Sequence, residues 1–290
     1  MVAYKQPIEE IIRQRFSCRS YVSIPIELEQ RDKISKLLFT SSTGPLGTRV
    51  RFELVCSTEQ DLKALKGLGT YGFIKGATGF IIGAVGQSEY NLEDYGYLLE
   101  RAVLFATDIG LGTCWLGGTF NKSNFSRKIS LKETEIIPAV VSVGYVADKR
   151  RWFESFIRRS AGSDSRLPWA SLFFDGSFRT ALSADTSGAF AKPLEMVHLC
   201  PSASNKQPWR IIRDGMKWHF YLRRTKGYGN RNKTFLKMAD LQRIDMGIAM
   251  CHFDLAVQEM GLIGEWTLIE PGIEKPDNLT EYIVTWQQKG

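Results

Sequence analysis

An internal repeat constrains the fold of this chain more than any other feature of its 290-residue sequence. In each copy, a long apolar helical pattern leads to a glycine suited to end a helix, and a short strand pattern with a tryptophan follows. A helix that is apolar on nearly all sides is typical of a protein core. The repeat therefore predicts two similar halves with a central helix pair, one helix from each half. The matching residues lie 151 positions apart: Gly96 and Gly247, Gly110 and Gly261, Leu111 and Leu262, Trp115 and Trp266.

Strand-like segments flank both predicted helices in the same order. Segments 51–55, 80–85 and 139–145 correspond to segments 210–213, 218–222 and 282–286. Strands that alternate with helices indicate an α+β or α/β architecture. We expect an N-terminal half at 1–150, a basic connector at 151–168 and a C-terminal half at 169–290.

Charge and cysteine content limit the classes of partner. The net charge is +7, and six of the cations lie between positions 149 and 166 with two carboxylates. This window suits a solvated linker or a phosphate-binding rim, whereas nucleic acid is a weaker option because no zinc-finger, helix-turn-helix or RNP pattern accompanies it. The five scattered cysteines lack CxxC spacing, so we expect reduced thiols and no metal site. No apolar run approaches the ~18 residues of a membrane span, and residues 1–10 lack a signal-peptide core, so we expect a cytoplasmic protein.

The segment Arg15-Phe16-Ser17-Cys18-Arg19 is the first candidate binding motif. It follows the helical pattern 8–13, and extended backbone there would aim Arg15 and Ser17 to one side. Arginine presents a planar fork that matches phosphate oxygens, and serine adds a hydroxyl donor. The alternative is an exposed basic helix end whose cations interact with its own carbonyl groups.

The segment Pro201 to Trp209 is the second and more specific motif. Its polar side chains are Ser202, Ser204, Asn205 and Gln207. Carboxamides both donate and accept hydrogen bonds, which suits a ring edge with alternating donors and acceptors. The alternative is an ordinary turn in which Trp209 anchors the core.

The glycine-rich segment 110–118 is the third candidate. It lacks the spacing and the later acidic residue of a dinucleotide-binding fingerprint. Its glycines follow a helix and border an apolar strand, where a missing side chain lets a backbone N–H approach a ligand. A glycine-rich turn with no ligand is the alternative.

Together these segments resemble the FMN site of the nitroreductase-like family. Segment 71–77 also resembles nitroreductases, and segments 172–176 and 245–253 resemble the TM nitroreductase subgroup. The resemblance implies an α+β nitroreductase-like fold, internally duplicated, with two antiparallel-sheet halves packed around a central helix pair. In ordinary members the two halves of the site come from different subunits. This chain carries both, so it resembles a monomeric pseudo-dimer.

The resemblance also implies roles for individual residues. Arg15 and Ser17 would bind the FMN phosphate, and Arg19 would lie at the N1–O2 edge of the flavin as a catalytic residue. Gly117, also catalytic, and Gly118 would donate N–H groups to N5 and O4. The remaining implied FMN contacts are Lys75, Arg166, Pro201, Ser202, Ser204, Asn205 and Gln207.

The implied function is an FMN-dependent oxidoreductase that takes hydride from NAD(P)H and reduces a small electron-poor acceptor, nitroaromatic or quinone-like, by a ping-pong mechanism. A flavoprotein of the same fold with another redox role, such as dehalogenation or flavin breakdown, is one alternative. A non-enzymatic nucleotide-binding protein is the other. We expect neither nucleic acid nor membrane as a partner.

We expect one FMN per chain, because the mirror-related segments have lost the binding residues. The turn at 41–46 lacks the Asn and the Gln-Pro-Trp. Alignment of segment 11–19 with segment 172–180 places Gly176, Phe178 and Thr180 opposite the two arginines and the serine. Two other residues that could suggest chemistry, His252 and Cys114, are expected to be structural.

Overall fold

A computed structural model describes residues 4–147, 166–226 and 239–289. The chain divides into two compact units, Met1–Ser163 (unit 1) and Asp164–Gly290 (unit 2). The predicted basic connector lies outside the described residues as far as position 165, and so do the basic residues 149–159; Arg166 is described.

The described part of unit 1 is one antiparallel sheet with four helices. The helices are α1 (Ile8–Gln14), α2 (Leu28–Thr40), α3 (Asn91–Asp108) and α4 (Lys122–Lys128). The strands are β1 (Val50–Cys56), β2 (Gly79–Gly86), β3 (Gly112–Leu116), β4 (Glu135–Ile136) and β5 (Val140–Gly144). Their order is β1-β2-β5-β3, and the short β4 also pairs with β2. The long helix α3 is buried along most of its length and packs on β1, β2 and β3.

The described residues of unit 2 form a six-stranded sheet and two α-helices. The helices are α5 (Ala191–His198) and α6 (Leu241–Glu259). The strands are β6 (Phe173–Asp175), β7 (Ser177–Ala181), β8 (Trp209–Asp214), β9 (Lys217–Arg223), β10 (Gly264–Thr267) and β11 (Thr280–Gln288). Their order is β10-β11-β9-β8-β6-β7; β6 and β8 run parallel, and the other pairs in this sheet are antiparallel. The long helix α6 is also buried, and it packs on α5, β8 and β9.

The two units share a four-stranded core, which confirms the α+β fold expected from the sequence. The order β1-β2-β5-β3 in unit 1 corresponds to β8-β9-β11-β10 in unit 2, and in both units the long helix follows the second of these strands along the chain. The hairpin β6–β7 is an addition on the β8 edge. Segment 172–180, which the sequence aligns with helix α1 and the Arg15–Arg19 motif, therefore forms part of a hairpin. A helix and a hairpin cannot present equivalent side chains, because their side chains repeat with different periods.

Glycine ends both long helices in the same way. Gly110 and Gly261 have φ angles of +85° and +73°, which side chains other than hydrogen rarely adopt. After each glycine the chain turns back, and the N–H of Leu111 donates to Ala106 O at 2.9 Å while the N–H of Leu262 donates to Val257 O at 3.0 Å. These bonds satisfy carbonyl groups that a helix end otherwise leaves unpaired. The predicted helix–glycine–strand unit is thus present in both copies, although each strand continues one residue past its tryptophan.

Two further structural expectations can be compared with the described residues. His252 is buried in α6, and its Nδ1 lies 3.0 Å from Met196 O, which fits the interpretation of a core histidine with a partner. None of the helices in the described part of the chain is long and apolar enough to cross a membrane.

Candidate functional site

The Arg15–Arg19 segment begins where helix α1 ends. Gln14 is the last helical residue, and Arg15 has extended backbone with φ −62° and ψ 129°. The helix-end interpretation of the motif is therefore right about where the helix stops. The Arg15 side chain is 3% exposed, whereas Ser17 and Arg19 are exposed. A buried guanidinium beside two exposed polar groups differs from the solvated basic helix end that was the alternative.

Backbone hydrogen bonds attach this segment to two neighbours. The N–H of Cys18 donates to Thr113 O on β3 at 2.8 Å. On its other side, Lys75 N–H donates to Arg19 O at 2.9 Å, and Tyr21 N–H donates to Lys75 O at 2.9 Å. The cations Arg19 and Lys75, 56 positions apart in sequence, therefore lie on directly paired backbone.

Two glycines permit this close pairing. A Cβ atom on Gly112 would lie 3.0 Å from Cys18 Cβ, which is tighter than most contacts between side chains. A Cβ on Gly76 would lie 2.3 Å from Tyr21 O, and Gly76 also has φ +71°. Glycine at these positions lets the motif segment approach β3 on one side and residues 75–76 on the other.

Buried hydrogen bonds hold Tyr21, two residues after the Arg15–Arg19 segment, against β5. The Tyr21 hydroxyl lies 2.9 Å from Ser142 Oγ and 3.2 Å from Ser142 O, on β5. Burial raises the pKa of Tyr21 well above its usual value, so this hydroxyl stays protonated at neutral pH. The segment is therefore attached to a rigid strand as well as to its immediate neighbours.

The positive charges of Arg15 and Arg19 both affect the pKa of the Cys114 thiol. Burial raises the pKa of Cys114, and the nearby positive charges of Arg19 and Arg15 oppose that rise. Cys114 itself is buried and remains a neutral thiol at neutral pH, which suits a structural role.

Two other features border the cation cluster, which we define as Arg15, Arg19 and Lys75. The Arg19 guanidinium lies 5.9 Å from the ring centre of Phe73, a cation–π distance, and this ring is half exposed. Gly117 and Gly118 directly follow the last residue of β3; Gly118 is exposed. The predicted N–H donors therefore extend from the strand that also holds the Arg15–Arg19 segment.

In unit 2 the predicted FMN turn has strained backbone. Ser204, Asn205 and Gln207 have φ angles of +52°, +52° and +48°. Such angles are uncommon outside glycine, and they persist only where surrounding contacts hold them. Ser204 and Asn205 are exposed, so their side chains are accessible to a ligand.

Gln207 has a different environment from the one that direct cofactor binding implies. Its side chain is 1% exposed; Oε1 accepts from Leu167 N–H at 2.9 Å, and Nε2 donates to Asn205 O at 3.2 Å. Its backbone N–H donates to Ser202 Oγ at 2.9 Å. The carboxamide therefore holds the turn together from inside, and its predicted contact with FMN stays a prediction.

Arg166 supports the same region. Its guanidinium donates to Leu199 O at 2.8 Å and to Cys200 O at 2.5 Å, just beyond the end of α5. A cation at this position satisfies carbonyl groups and the negative end of the helix dipole. The sequence resemblance assigned Arg166 to the phosphate, and that role also stays a prediction.

Two buried aspartates were missed by sequence reasoning. Asp94 on α3 accepts from Leu46 N–H at 2.8 Å and from Thr48 N–H at 2.7 Å. Asp245 on α6 accepts from Ala203 N–H at 3.0 Å. The two aspartates lie 151 positions apart, so the repeat itself contained the signal: an acidic residue at the same place in two apolar helices.

The predicted site residues thus form one group in each unit. In unit 1, backbone pairing brings the Arg15–Arg19 segment together with Lys75 on one side and with β3 on the other, and Gly117 and Gly118 directly follow β3. In unit 2, one compact turn with its supporting arginine contains the rest: Arg166, Pro201, Ser202, Ser204, Asn205 and Gln207. Among the described residues, no group of three or more His, Cys, Asp or Glu could hold a metal ion.

A family model described as "Putative TM nitroreductase" matches residues 7–257. The chain belongs to this nitroreductase family. A comparison with curated proteins gives no match.

Solved structures give similarities of differing extent. A Thermotoga maritima MSB8 protein described as a "putative nitroreductase" is 18% identical, with a TM-score of 0.58 over 99% of this chain and 95% of its own. At this identity the similarity shows the fold. An FMN-dependent nitroreductase from Clostridium difficile R20291 is 21% identical, with a TM-score of 0.37 over 48% of this chain and 87% of its own. A "putative NADH oxidase" from Clostridium acetobutylicum is 25% identical, with a TM-score of 0.38 over 48% of this chain and 88% of its own.

Proposed function

We propose that this nitroreductase-family protein is an FMN-dependent oxidoreductase that takes hydride from NAD(P)H and reduces a small electron-poor acceptor. The observation that carries the proposal is the cation cluster. Arg19 and Lys75 lie on directly paired backbone, and the buried Arg15 precedes the residues that pair with β3, the strand that Gly117 and Gly118 follow.

The residues present in unit 1 fit an FMN. The cofactor has an anionic phosphate, and the cluster offers two guanidinium groups and an ammonium group next to the Ser17 hydroxyl. The close approach of Gly76 to Tyr21 O keeps Lys75 against the arginine segment. In this proposal Arg15, Ser17 and Lys75 hold the phosphate and ribityl end.

The flavin, when bound, supplies the hydride and electron transfer chemistry, and the protein supplies binding, orientation and electrostatics. Arg19 would place a fixed cation at the N1–O2 edge, where negative charge collects on reduction, and so raise the reduction potential. The N–H of Gly117 would donate to N5, and Gly118 would support the O4 side. These two assignments follow the family resemblance.

In unit 2, the strained turn would supply the flavin contacts that the family resemblance assigns to it. The exposed side chains of Ser204 and Asn205 are the groups available to bind the flavin, while Ser202 and Gln207 hold the turn. These contacts rest on the sequence resemblance.

A ping-pong mechanism follows if one face of the flavin serves both partners in turn. NAD(P)H would bind and leave before a nitroaromatic or quinone-like acceptor takes its place. The exposed ring of Phe73 beside Arg19 provides an aromatic surface for a planar substrate.

The test begins with the purified protein. We expect a yellow protein whose bound flavin is released on denaturation and identified as FMN by chromatography and mass. Anaerobic reduction by NADH or NADPH and reoxidation across acceptor classes test the two half-reactions separately. Steady-state turnover with both substrates varied should give parallel double-reciprocal plots. A protein that neither contains FMN nor takes it up on reconstitution would exclude this function. FMN binding without reduction by either nicotinamide would favour a non-enzymatic nucleotide-binding protein.

A further inference from the structure

We propose that Asp245 is a positioning residue for the cofactor site, because it holds the strained turn at 202–207 in the conformation that presents Ser204 and Asn205. This inference deepens the proposed function and rests on it for the identity of the ligand. Asp245 lies on α6 and is 3% exposed, and it accepts a hydrogen bond from the N–H of Ala203, the residue just before the strained Ser204.

The Asp245 carboxylate accepts a hydrogen bond beside the strained part of the turn. Both carboxylate oxygens of Asp245 lie within hydrogen-bond distance of Ala203 N, at 3.0 and 3.2 Å. The next three residues include two with φ near +50°, Ser204 and Asn205. Asn tolerates this conformation better than Ser, so the serine in particular needs outside support. Gln207, also at positive φ, is held separately through its side chain.

In unit 1 a buried aspartate also accepts hydrogen bonds from a turn, but that turn is not strained. Asp94 on α3 accepts two backbone N–H groups of the turn at 41–49, which joins α2 to β1 as the 199–208 turn joins α5 to β8. Within 41–49, all of which the structure describes, the one positive φ belongs to Gly47. Both units thus attach this turn to the long helix through a buried aspartate, and the strain occurs only on the turn that has the candidate ligand groups.

The difference between the turns indicates function in unit 2. A turn with unfavourable backbone at serine and glutamine is more costly to keep than a turn with glycine, and such strain is found at ligand sites. The aspartate contact is common to both units, so it accounts for attachment of the turn and not for its conformation. The added requirement in unit 2 is to hold Ser204 and Asn205 outward against their backbone preference.

The matched pair of aspartates makes the experiment. Asp245→Ala and Asp94→Ala each remove the acceptor of one turn, and Asp94→Ala leaves the larger number of N–H groups without it. Stability of the flavin-free proteins is measured by chemical denaturation, FMN affinity by quenching of FMN fluorescence, and local opening by amide hydrogen exchange of peptides covering 200–208 and 41–49.

We expect Asp245→Ala to weaken FMN binding at least tenfold, which corresponds to about 1.4 kcal/mol, and to speed amide exchange in 200–208. Asp94→Ala should destabilise the protein at least as much, speed exchange in 41–49 and leave FMN affinity within about twofold of wild type. Asp245→Asn keeps an oxygen acceptor for Ala203 N–H, so it should restore most of the affinity. Rescue by this variant separates positioning from loss of packing.

Equal weakening of FMN binding by Asp245→Ala and Asp94→Ala would overturn the positioning role, because the effect would then follow general stability. Unchanged FMN affinity in Asp245→Ala would overturn it as well. If the wild-type protein binds no FMN, the proposed function fails. The exchange data then decide separately whether Asp245 holds the turn, since unchanged exchange in 200–208 would refute that claim.

Discussion

The close approach at Gly76 predicts a large effect from the smallest possible side chain. An alanine Cβ at this position would lie 2.3 Å from Tyr21 O, far inside van der Waals contact, and the φ of +71° is unfavourable for alanine. The Tyr21 backbone cannot easily move away, because its N–H donates to Lys75 O and the N–H of Val22 donates to Tyr145 O at 2.8 Å.

Gly72→Ala is the matched control. Gly72 lies on the same loop with φ +79°, but an added Cβ would meet no atom within 4 Å. Its substitution should cost only the left-handed backbone penalty, about 1–2 kcal/mol of unfolding free energy. Gly76→Ala adds a steric term of about 1–3 kcal/mol, so its total is about 2–5 kcal/mol. Denaturant titration followed by tryptophan fluorescence and far-UV circular dichroism measures both variants.

The same substitution should also act on the candidate site. Displacement of Tyr21 would disturb the bonds that join Lys75 to the arginine segment, so we expect Gly76→Ala to weaken FMN binding and Gly72→Ala to leave it unchanged. Equal unfolding free energies of the two variants, within about 0.5 kcal/mol, would show that the backbone relaxes at no cost and that the steric argument is wrong.

Four further outcomes follow from the structure and the proposed function. Arg15→Ala should release FMN, whereas Arg19→Ala should mainly lower the flavin reduction potential by the equivalent of roughly 1.5–3 kcal/mol. FMN titration measures the loss of binding and spectroelectrochemistry measures the potential. Equal effects of the two variants on both quantities would contradict the separate roles of Arg15 and Arg19. Asn205→Ala should weaken FMN binding without changing the stability of the flavin-free protein, and Gln207→Ala should lower both; denaturation and FMN titration test this, and an unaltered FMN affinity in both variants would remove the turn from the site. Flavin absorbance on a monomeric size-exclusion peak should give one FMN per chain, and a ratio near two would refute a single site. Burial lowers the pKa of His219, and nearby Asp214 opposes this shift. The neutral imidazole therefore stabilises the fold above about pH 6.5, and this stability is lost as the pH falls. His219→Gln should flatten the decline of the denaturation midpoint at acid pH, and an unchanged slope would contradict this role of His219.

The sequence predicted those parts of the fold that local patterns encode. Gly110 and Gly261 marked both helix ends because only glycine adopts their φ angles without strain, and apolar runs marked the strands within one or two residues. The hairpin β6–β7 and its parallel pairing with β8 were not predicted, because sheet partners depend on contacts between distant segments.

The sequence likewise predicted only some features of the candidate site. Residue types identified the Arg15–Arg19 and 201–209 segments, but they could not show whether a polar side chain faces a ligand or the protein's own backbone. Gln207 and Arg166 illustrate the difficulty: a carboxamide and a guanidinium suit FMN, yet each makes hydrogen bonds with nearby carbonyl or N–H groups. Asp245 was missed because its partner, Ala203 N–H, has no sequence signature.

The two units share a topology but differ in their candidate binding features. Both units keep the features that a fold requires: the strand order, the glycine that ends the long helix and the aspartate that attaches the preceding turn. Each lacks a binding feature that the other has. Unit 1 has the cation cluster with a relaxed turn, and unit 2 has the strained turn, with a hairpin at the position aligned with α1. Because stability alone would favour the relaxed turn in both units, the strain that unit 2 retains fits the proposal that this turn presents Ser204 and Asn205 to a ligand.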